Sequence, residues 1–179
     1  MKKFSIFIAV TLFALTGNLI FRAPALSLEG GEYQIKAAMM VNFIQFVEWP
    51  NDPDLPADSL TIGVFGTDNF KETLDQIEGR IINGKRLAVR YLTSPKDLSQ
   101  CQVVFVPESE SYRMNEILRC VNGYPILTVG ETDKFIQSGG IIRFYLEQNH
   151  VRFEINKTSA VNSKLKISAK LLEIARIVD

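Results

Sequence analysis

Hydrophobic residues along the chain fall into runs of two kinds, and the runs predict alternating strands and helices. Buried strands are typically short apolar runs of about five or six residues, which end at glycine or proline or are bounded by polar residues. The chain has three such runs, Leu60–Phe65, Cys101–Val106 and Pro125–Val129. Longer segments without internal glycine or proline are typical of helices; these are Glu32–Val47, Asn69–Ile77, Ser109–Val121, Thr132–Gln137 and Lys164–Val178.

Two further stretches have the pattern of β-hairpins. Asn83-Gly84, the strongest short hairpin signal, lies within Arg80–Tyr91. The second turn, Gln148-Asn149, joins Ile141–Glu147 to Val151–Ile155. Strand, helix, strand, helix, strand is the order of a parallel α/β sheet. We therefore predict a single α/β domain: a largely parallel sheet flanked by helices, a Rossmann-like three-layer sandwich, with an antiparallel edge hairpin near the C-terminus.

The second hairpin brings two opposite charges together. In the register of a two-residue turn, Arg143 and Glu154 lie near each other across the ladder and are suited to a charge pair. One interpretation is a surface salt bridge, which contributes little to stability. The other is that this polar, aromatic-rich edge hairpin is a docking surface.

The predicted first helix is unusually apolar. Among its central residues only Lys36, Asn42 and Gln45 interrupt the hydrophobic pattern, so we expect it to be buried on most sides. It is either a core helix or a helix partly covered by a second subunit or a partner.

The N-terminus is typical of a secretory signal. Met1-Lys2-Lys3 is followed by the uncharged apolar run Phe4–Leu15, and Ala23-Pro24-Ala25 places small residues where a signal peptidase cleaves. We predict a signal peptide at residues 1–25, cleaved near Ala25, a mature domain at 26–179, and a periplasmic location. The alternative is an uncleaved anchor, since apolar residues continue after the break, but a spanning helix needs roughly 20 apolar residues.

Composition narrows the function. The chain has 179 residues, with 20 basic and 20 acidic side chains; the signal peptide removes three basic ones and no acidic ones, which leaves a net charge of about −3. Such a protein has no general attraction to nucleic acid. One histidine, His150, and two cysteines exclude an ordinary Cys/His zinc site. We predict a protein that is not an enzyme and needs no cofactor or metal.

The two cysteines allow two interpretations. Cys101 begins a predicted strand and Cys120 ends the helix that follows it. Because a helix runs back antiparallel to its strand in a βα unit, the two sulfurs could meet. In an oxidising periplasm this predicts a disulfide that stabilises the fold by roughly 3 kcal/mol. The alternative is two buried free thiols.

Three segments resemble the YfiR/HmsC-like periplasmic family, in that family's order. They are Tyr33–Pro50, Gly139–Asn156 and Leu165–Leu172, and the resemblance runs from about Glu32 to Ile177. Arg143 stands where the family often has a smaller residue, which is a local departure.

The resemblance implies a regulator. Named members of the family repress an inner-membrane diguanylate cyclase by binding its periplasmic sensor domain, which lowers cyclic di-GMP, exopolysaccharide and biofilm formation. An OmpA-like outer-membrane lipoprotein can sequester the repressor. Family members form homodimers, and disulfides stabilise some of them; here only Cys101 and Cys120 are available.

For this chain we expect partner contacts at Ser138, Glu154 and Asn156, which surround the Gly139-Gly140 turn and the exit of the hairpin. A Glu154→Lys substitution should weaken repression without unfolding the domain.

The alternative function is a periplasmic small-molecule sensor module that serves another membrane signalling protein. Gly66, Pro107 and Gly130 follow predicted parallel strands and should share the rim where α/β folds bind ligands. A second polar pocket is predicted from Asn51, Lys166 and Ser168.

Overall fold

The structure of the protein is a computed structural model that describes residues 28–50, 58–66 and 70–179. Ten strands and six α-helices make up this described part. The strands are β1 Val47–Glu48, β2 Ser59–Phe65, β3 Ile81–Ile82, β4 Lys85–Leu92, β5 Val103–Val106, β6 Leu127–Gly130, β7 Ile142–Glu147, β8 His150–Asn156, β9 Lys166–Ile167 and β10 Arg176–Val178. The α-helices are α1 Leu28–Phe46, α2 Phe70–Asp75, α3 Met114–Val121, α4 Asp133–Gln137, α5 Lys157–Asn162 and α6 Ala169–Glu173, with 3-10 helices at Pro95–Gln100 and Glu108–Arg113.

Eight strands form one sheet in the order β10-β8-β7-β6-β5-β2-β4-β3. The five strands from β4 to β7 in this order are all parallel, whereas β3 runs antiparallel to β4 and β8 runs antiparallel to β7. The prediction of a single, mostly parallel α/β domain is confirmed. The predicted C-terminal hairpin is also present, but β10 pairs with β8 and becomes the outermost strand.

Both hairpin turns follow from their residues. Asn83 and Gly84 have φ values of 51° and 79°, and Gln148 and Asn149 have 49° and 61°. Two consecutive residues with positive φ make the tight turn that matches the twist of antiparallel strands. Asn83, Gly84 and Asn149 are residue types that tolerate this conformation, whereas glutamine, at position 148, adopts it less often. Both predicted turns are confirmed.

Apolar side chains cover both faces of the sheet centre. Along β5, Val103 and Phe105 belong to a core cluster beneath α1, while Val104 and Val106 belong to a second cluster on the other face. Side chains alternate between faces along a strand, so a strand with all four residues buried must be covered on both sides.

Helix α1 is half buried rather than buried on most sides. Met40, Phe43 and Ile44 are almost inaccessible, whereas Ile35 is 47% exposed and Ala38 also faces outward. The buried side follows the i, i+3, i+4 spacing of an amphipathic helix. The first apolar helix therefore packs on the sheet with one face only.

The predicted closing helix Lys164–Val178 is wrong. Lys164 has a φ of 58°, β9 pairs with β1, and only Ala169–Glu173 is helical, capped by the Ser168 hydroxyl, which accepts from Leu171 N. The segment then extends as β10 along β8. Pairing with neighbouring strands overrides the intrinsic helix preference of these residues, because propensity is a weak local term.

The signal peptide predicted at residues 1–25 and the pocket residue Asn51 lie outside the described residues. None of the described helices combines the length and apolarity needed to cross a membrane.

Candidate functional site

Parallel strands end level with one another at one edge of the sheet. The ladder registers pair Val64 with Phe105 and Val106 with Gly130. Gly66, Pro107 and Gly130 therefore share one rim, as predicted. Strand β7 starts where β6 ends, with Gly130 opposite Arg143, and projects beyond this rim as far as Glu147.

A cleft of about 430 Å³ lies at this rim, between the start of α1, the loops after β5 and β6, and the projecting part of β7. Its ionisable lining residues are Glu32, Lys36, Glu108, Glu131, Asp133 and Arg143, and its aromatic ones are Tyr33, Phe144 and Tyr145. Clefts outside the carboxyl ends of parallel strands are where α/β folds bind ligands. This cleft is the candidate functional site.

A buried lysine forms one wall of the cleft. Lys36 is 6% exposed, and its Nζ lies 2.5 Å from Glu131 Oε1 and in contact with Glu32. Burial by itself lowers the pKa of Lys36, but attraction and hydrogen bonds from Glu131 and Glu32 outweigh it and raise the pKa above the ordinary value. Glu131 Oε2 also accepts from Glu108 N at 2.8 Å, so this carboxylate joins α1 to the loop after β5.

An arginine on β7 forms the opposite wall. Arg143 is 7% exposed, and its Nε donates to Glu154 Oε1 at 2.7 Å while its Nη1 contacts Asp133. Glu154 Oε2 accepts from Arg176 Nε at 2.8 Å, and this bond raises the pKa of Arg176. One buried carboxylate on β8 therefore links β7 to β10.

Tyr145 lies beside both arginines. The guanidinium carbons of Arg143 and Arg176 are 5.5 Å and 4.3 Å from its ring centroid. Cations at this distance are attracted to the face of an aromatic ring. These contacts further restrict the arginine side chains next to Glu154.

The predicted proximity of Arg143 and Glu154 is confirmed by their register. Their environment differs from a surface salt bridge, since Glu154 is only 4% exposed. Burial makes the carboxylate depend on its partners, because an unpaired buried charge is costly.

The three residues predicted for partner contact have different surroundings. Ser138 is exposed at the end of α4. Asn156 is 9% exposed, and its Oδ1 accepts from Ser159 N at 2.8 Å as the N-cap of α5. Glu154 is the buried carboxylate described above. The partner-contact role of all three stays a prediction.

The residues predicted for a second pocket lie elsewhere. Lys166 pairs with Glu48 in the β1–β9 ladder, and Ser168 N donates to Phe46 O at 2.9 Å. Both are therefore near the C-terminal end of α1, whereas the cleft is at its beginning. The ten residues from Lys36 to Phe46 separate the two places by about 15 Å, so Lys166 and Ser168 do not line this cleft.

The predicted disulfide is absent, and the structure has two free thiols. Cys101 is buried, and burial raises the pKa of its thiol to about 11. Cys120 is exposed near the C-terminal end of α3, whereas its helix neighbours Ile117 and Val121 are buried. The alternative of two buried thiols is therefore correct for Cys101 only.

The Gly139-Gly140 turn needs its two glycines for different reasons. Gly139 has a φ of 97°, a conformation that favours glycine. At Gly140 a Cβ would lie 2.2 Å from the Phe135 ring. The same ring would meet a Cβ on Gly130 at 2.4 Å, so Phe135 packs between two glycine backbones next to the rim.

Sequence reasoning missed Lys36 and Glu131. Glu131 and Asp133 are two positions apart in sequence, but the Glu131 side chain is 10% exposed and that of Asp133 95%. A lone lysine in an apolar helix was the available signal, because a buried cation requires a carboxylate partner.

Within the described residues, no group of three or more His, Cys, Asp or Glu side chains is arranged to hold a metal.

Solved structures with this fold include two bacterial proteins. The ABC domain in complex with L-Trp from Streptococcus pneumonia is 13% identical, with a TM-score of 0.50, over 79% of this chain and 60% of that one. A conserved domain protein from Vibrio cholerae O1 biovar eltor is 10% identical, with a TM-score of 0.52, over 82% and 60%. The chain therefore spans less than two thirds of either protein, and these likenesses concern the fold alone.

The family comparison covers most of the chain. The family model described as YfiR/HmsC-like matches residues 33–176. The match includes both walls of the cleft, the Gly139-Gly140 turn and the β7–β8 hairpin. The chain belongs to the YfiR/HmsC-like family.

Proposed function

We propose that this protein represses a membrane-bound diguanylate cyclase by binding the cyclase's periplasmic sensor domain, and so lowers cyclic di-GMP and biofilm or exopolysaccharide output. The observation that carries the proposal is the family match over residues 33–176. At the level of the family, its members are periplasmic regulators of diguanylate cyclases rather than enzymes.

The electrostatics of the cleft support a binding role. Lysines that act as bases or nucleophiles need a lowered pKa, whereas the carboxylates around Lys36 raise its pKa. Arg143 is likewise held between Glu154 and Asp133. Both buried cations of the cleft are thus engaged in ion pairs that hold its walls together.

Repression would work through differential affinity. A protein that binds one conformation of a sensor more tightly than another shifts the sensor toward that conformation. Partner contact would involve Ser138, which is exposed, together with Glu154, which binds Arg143 of β7, and Asn156, which caps α5. A cleaved signal at residues 1–25, a homodimer and an OmpA-like lipoprotein partner belong to the same proposal.

The proposal is tested by deleting the gene in the source organism and measuring intracellular cyclic di-GMP. We expect the level to rise, and to return to normal when the full chain is supplied but not when residues 26–179 are produced without the signal. Unchanged cyclic di-GMP under several growth conditions would contradict repression of a cyclase. Rescue by the form without a signal would contradict action in the periplasm.

A second candidate is a small-molecule sensor module, favoured by the 430 Å³ cleft at the rim. A ligand that binds only the folded state raises the melting temperature. Screening small metabolites by thermal shift tests this function, and a hit should lose its effect when Arg143 or Lys36 is replaced.

A further inference from the structure

Strand β7 has one side that is only partly paired. Toward β8 its ladder runs from Ile142 to Glu147, whereas toward β6 it contains only Ile142 and Arg143. Beyond Arg143, no strand among residues 28–50, 58–66 and 70–179 continues the sheet on the β6 side. This free side faces the cleft, which Phe144, Tyr145 and Leu146 help to line.

The direction of the backbone groups follows from the turn. In a two-residue hairpin the residues flanking the turn, Glu147 and His150, exchange backbone hydrogen bonds, and every second pair along the ladder does the same. Tyr145 therefore directs its N–H and C=O toward β8. Leu146, one residue away, directs both groups to the opposite side, into the cleft.

An open edge of this kind is a template for another strand. Unpaired N–H and C=O groups in extended conformation pair readily with a further extended segment. Here the start of α1 stands on one side of the edge and the loops after β5 and β6 close the far end. Leu146 is 56% exposed beside the edge and offers an apolar contact.

The charge of the cleft indicates which segment would fit. Its lining has four carboxylates, from Glu32, Glu108, Glu131 and Asp133, against the two cations Lys36 and Arg143, a net charge of −2. Glu108 has no ion-pair partner among the described residues, and the Asp133 side chain is almost fully exposed. A segment carrying lysine or arginine would complement this surface.

We propose that the free edge of β7 at Leu146 binds an extended, basic segment of the partner protein as an added strand. The inference rests on the proposed function, because it takes the occupant to be part of the membrane sensor. The test can have two competing outcomes. One is that the cleft binds a small molecule, and the other is that the partner adds a strand at the outer edge of β10.

The first experiment uses synthetic peptides and the protein purified from the periplasm after expression as the full chain. One peptide of about eight residues alternates lysine and valine, and the second alternates glutamate and valine. The third is the lysine peptide with a methyl group on every backbone nitrogen, so that neither of its edges can donate ladder hydrogen bonds. Affinities come from titration calorimetry, and the bound site comes from amide NMR shifts.

We expect the lysine peptide to bind about tenfold more tightly than either other peptide, with the largest NMR shift at the Leu146 amide. The glutamate peptide carries the opposite charge, and the N-methylated peptide cannot donate the ladder hydrogen bonds. Equal affinity of the N-methylated peptide would overturn the proposal. So would shifts centred on β10, or no saturable binding of any peptide up to about 1 mM.

A pair of variants tests the same edge from the protein side. Leu146→Pro removes the N–H that faces the cleft, and proline is tolerated on a free strand edge. Leu146→Ala removes the side chain but keeps the N–H. We expect Leu146→Pro to lose about tenfold in affinity for the lysine peptide and Leu146→Ala to lose about twofold. Equal affinity of a folded Leu146→Pro and Leu146→Ala would contradict the added strand; if Leu146→Pro does not fold, the N-methylated peptide decides.

The same variants in cells separate this inference from the proposed function. If deletion of the gene leaves cyclic di-GMP unchanged, the proposed function fails. If deletion raises it but folded Leu146→Pro represses as fully as Leu146→Ala, only the strand addition fails. We expect Leu146→Pro to behave like the deletion and Leu146→Ala like the unaltered chain.

Discussion

The centre and the C-terminal end of the sheet are stabilised in different ways. At the centre, β5 buries valine and phenylalanine on both faces. At the end, β7 and β8 bury Phe144 and Phe153 on one face, while the other carries the buried pair Arg143–Glu154. Apolar contacts are non-directional, but a buried ion pair depends on each partner being present. The charged residues nearest the predicted partner surface are therefore part of the fold, and their effect on repression must be separated from their effect on stability.

The strongest test of this comparison is Glu154→Lys. The substitution places a third cation beside Arg143 and Arg176 in a site that is 4% exposed. We expect the free energy of unfolding to fall by about 3 to 5 kcal/mol, measured by urea denaturation. The sequence alone suggested that Glu154→Lys would leave the domain folded. Because Glu154 is buried, we now expect the variant to be strongly destabilised.

Glu147→Lys is the matched control, because Glu147 lies in the same hairpin, its side chain is 58% exposed, and it pairs with Arg152 at 3.7 Å. Its cost should stay below about 1 kcal/mol. Equal stability of the two variants would mean that burial of Glu154 does not control this end of the sheet.

Gly140→Ala tests packing next to the rim, where apolar contact rather than charge decides. The added Cβ would overlap the Phe135 ring and lie 2.8 Å from the Phe135 carbonyl oxygen. We expect a loss of about 3 kcal/mol in thermal or chemical unfolding. Phe135→Leu should cost less in the Gly140→Ala background than in the unaltered protein. Additive losses would show that the two residues do not compete for space.

Glu131→Gln tests the other buried ion pair. The variant keeps the shape of the side chain but leaves Lys36 with Glu32 as its remaining carboxylate contact, so we expect a loss of about 2 kcal/mol at neutral pH. Because the folded-state pKa of Lys36 is raised, the stabilisation is fully present below the ordinary lysine pKa. It should disappear as the pH rises through the higher folded-state value.

Chemical denaturation of the unaltered protein and of Glu131→Gln at several alkaline pH values measures the difference between their free energies of unfolding. A gap in stability that stays constant above the folded-state pKa of Lys36 would show that the cation does not contribute to it.

The smallest expected effect concerns the cysteines. With two free thiols, a reducing agent should leave the melting temperature unchanged. Cys120 should react with maleimide in the folded protein, while Cys101, whose thiol pKa is raised to about 11 by burial, should react only after unfolding. Mass spectrometry counts the labels. A mass lower by two hydrogen atoms in the non-reduced protein, with no labelling of either cysteine, would show that the disulfide forms.

Local rules explain which parts of the site could be predicted. The tight turn at Gln148-Asn149 sets the hairpin register, and that register is sufficient to place Arg143 opposite Glu154. Lys36 was visible as an isolated cation, but its partner Glu131 is 95 positions away. No local pattern relates two residues at that separation, since only the packing of α1 against the rim brings them together.

The sequence by itself determined the apolar strands, the two tight turns and the parallel α/β order, because each depends on neighbouring residues and their backbone preferences. Only the tertiary structure decided that residues 176–178 become a strand, that Cys120 faces solvent, and that β7 projects beyond β6 to leave an open edge. These outcomes depend on hydrogen-bond partners, helix rotation and strand offset between distant segments. The free energy of those contacts exceeds the small local preferences that a sequence pattern reports.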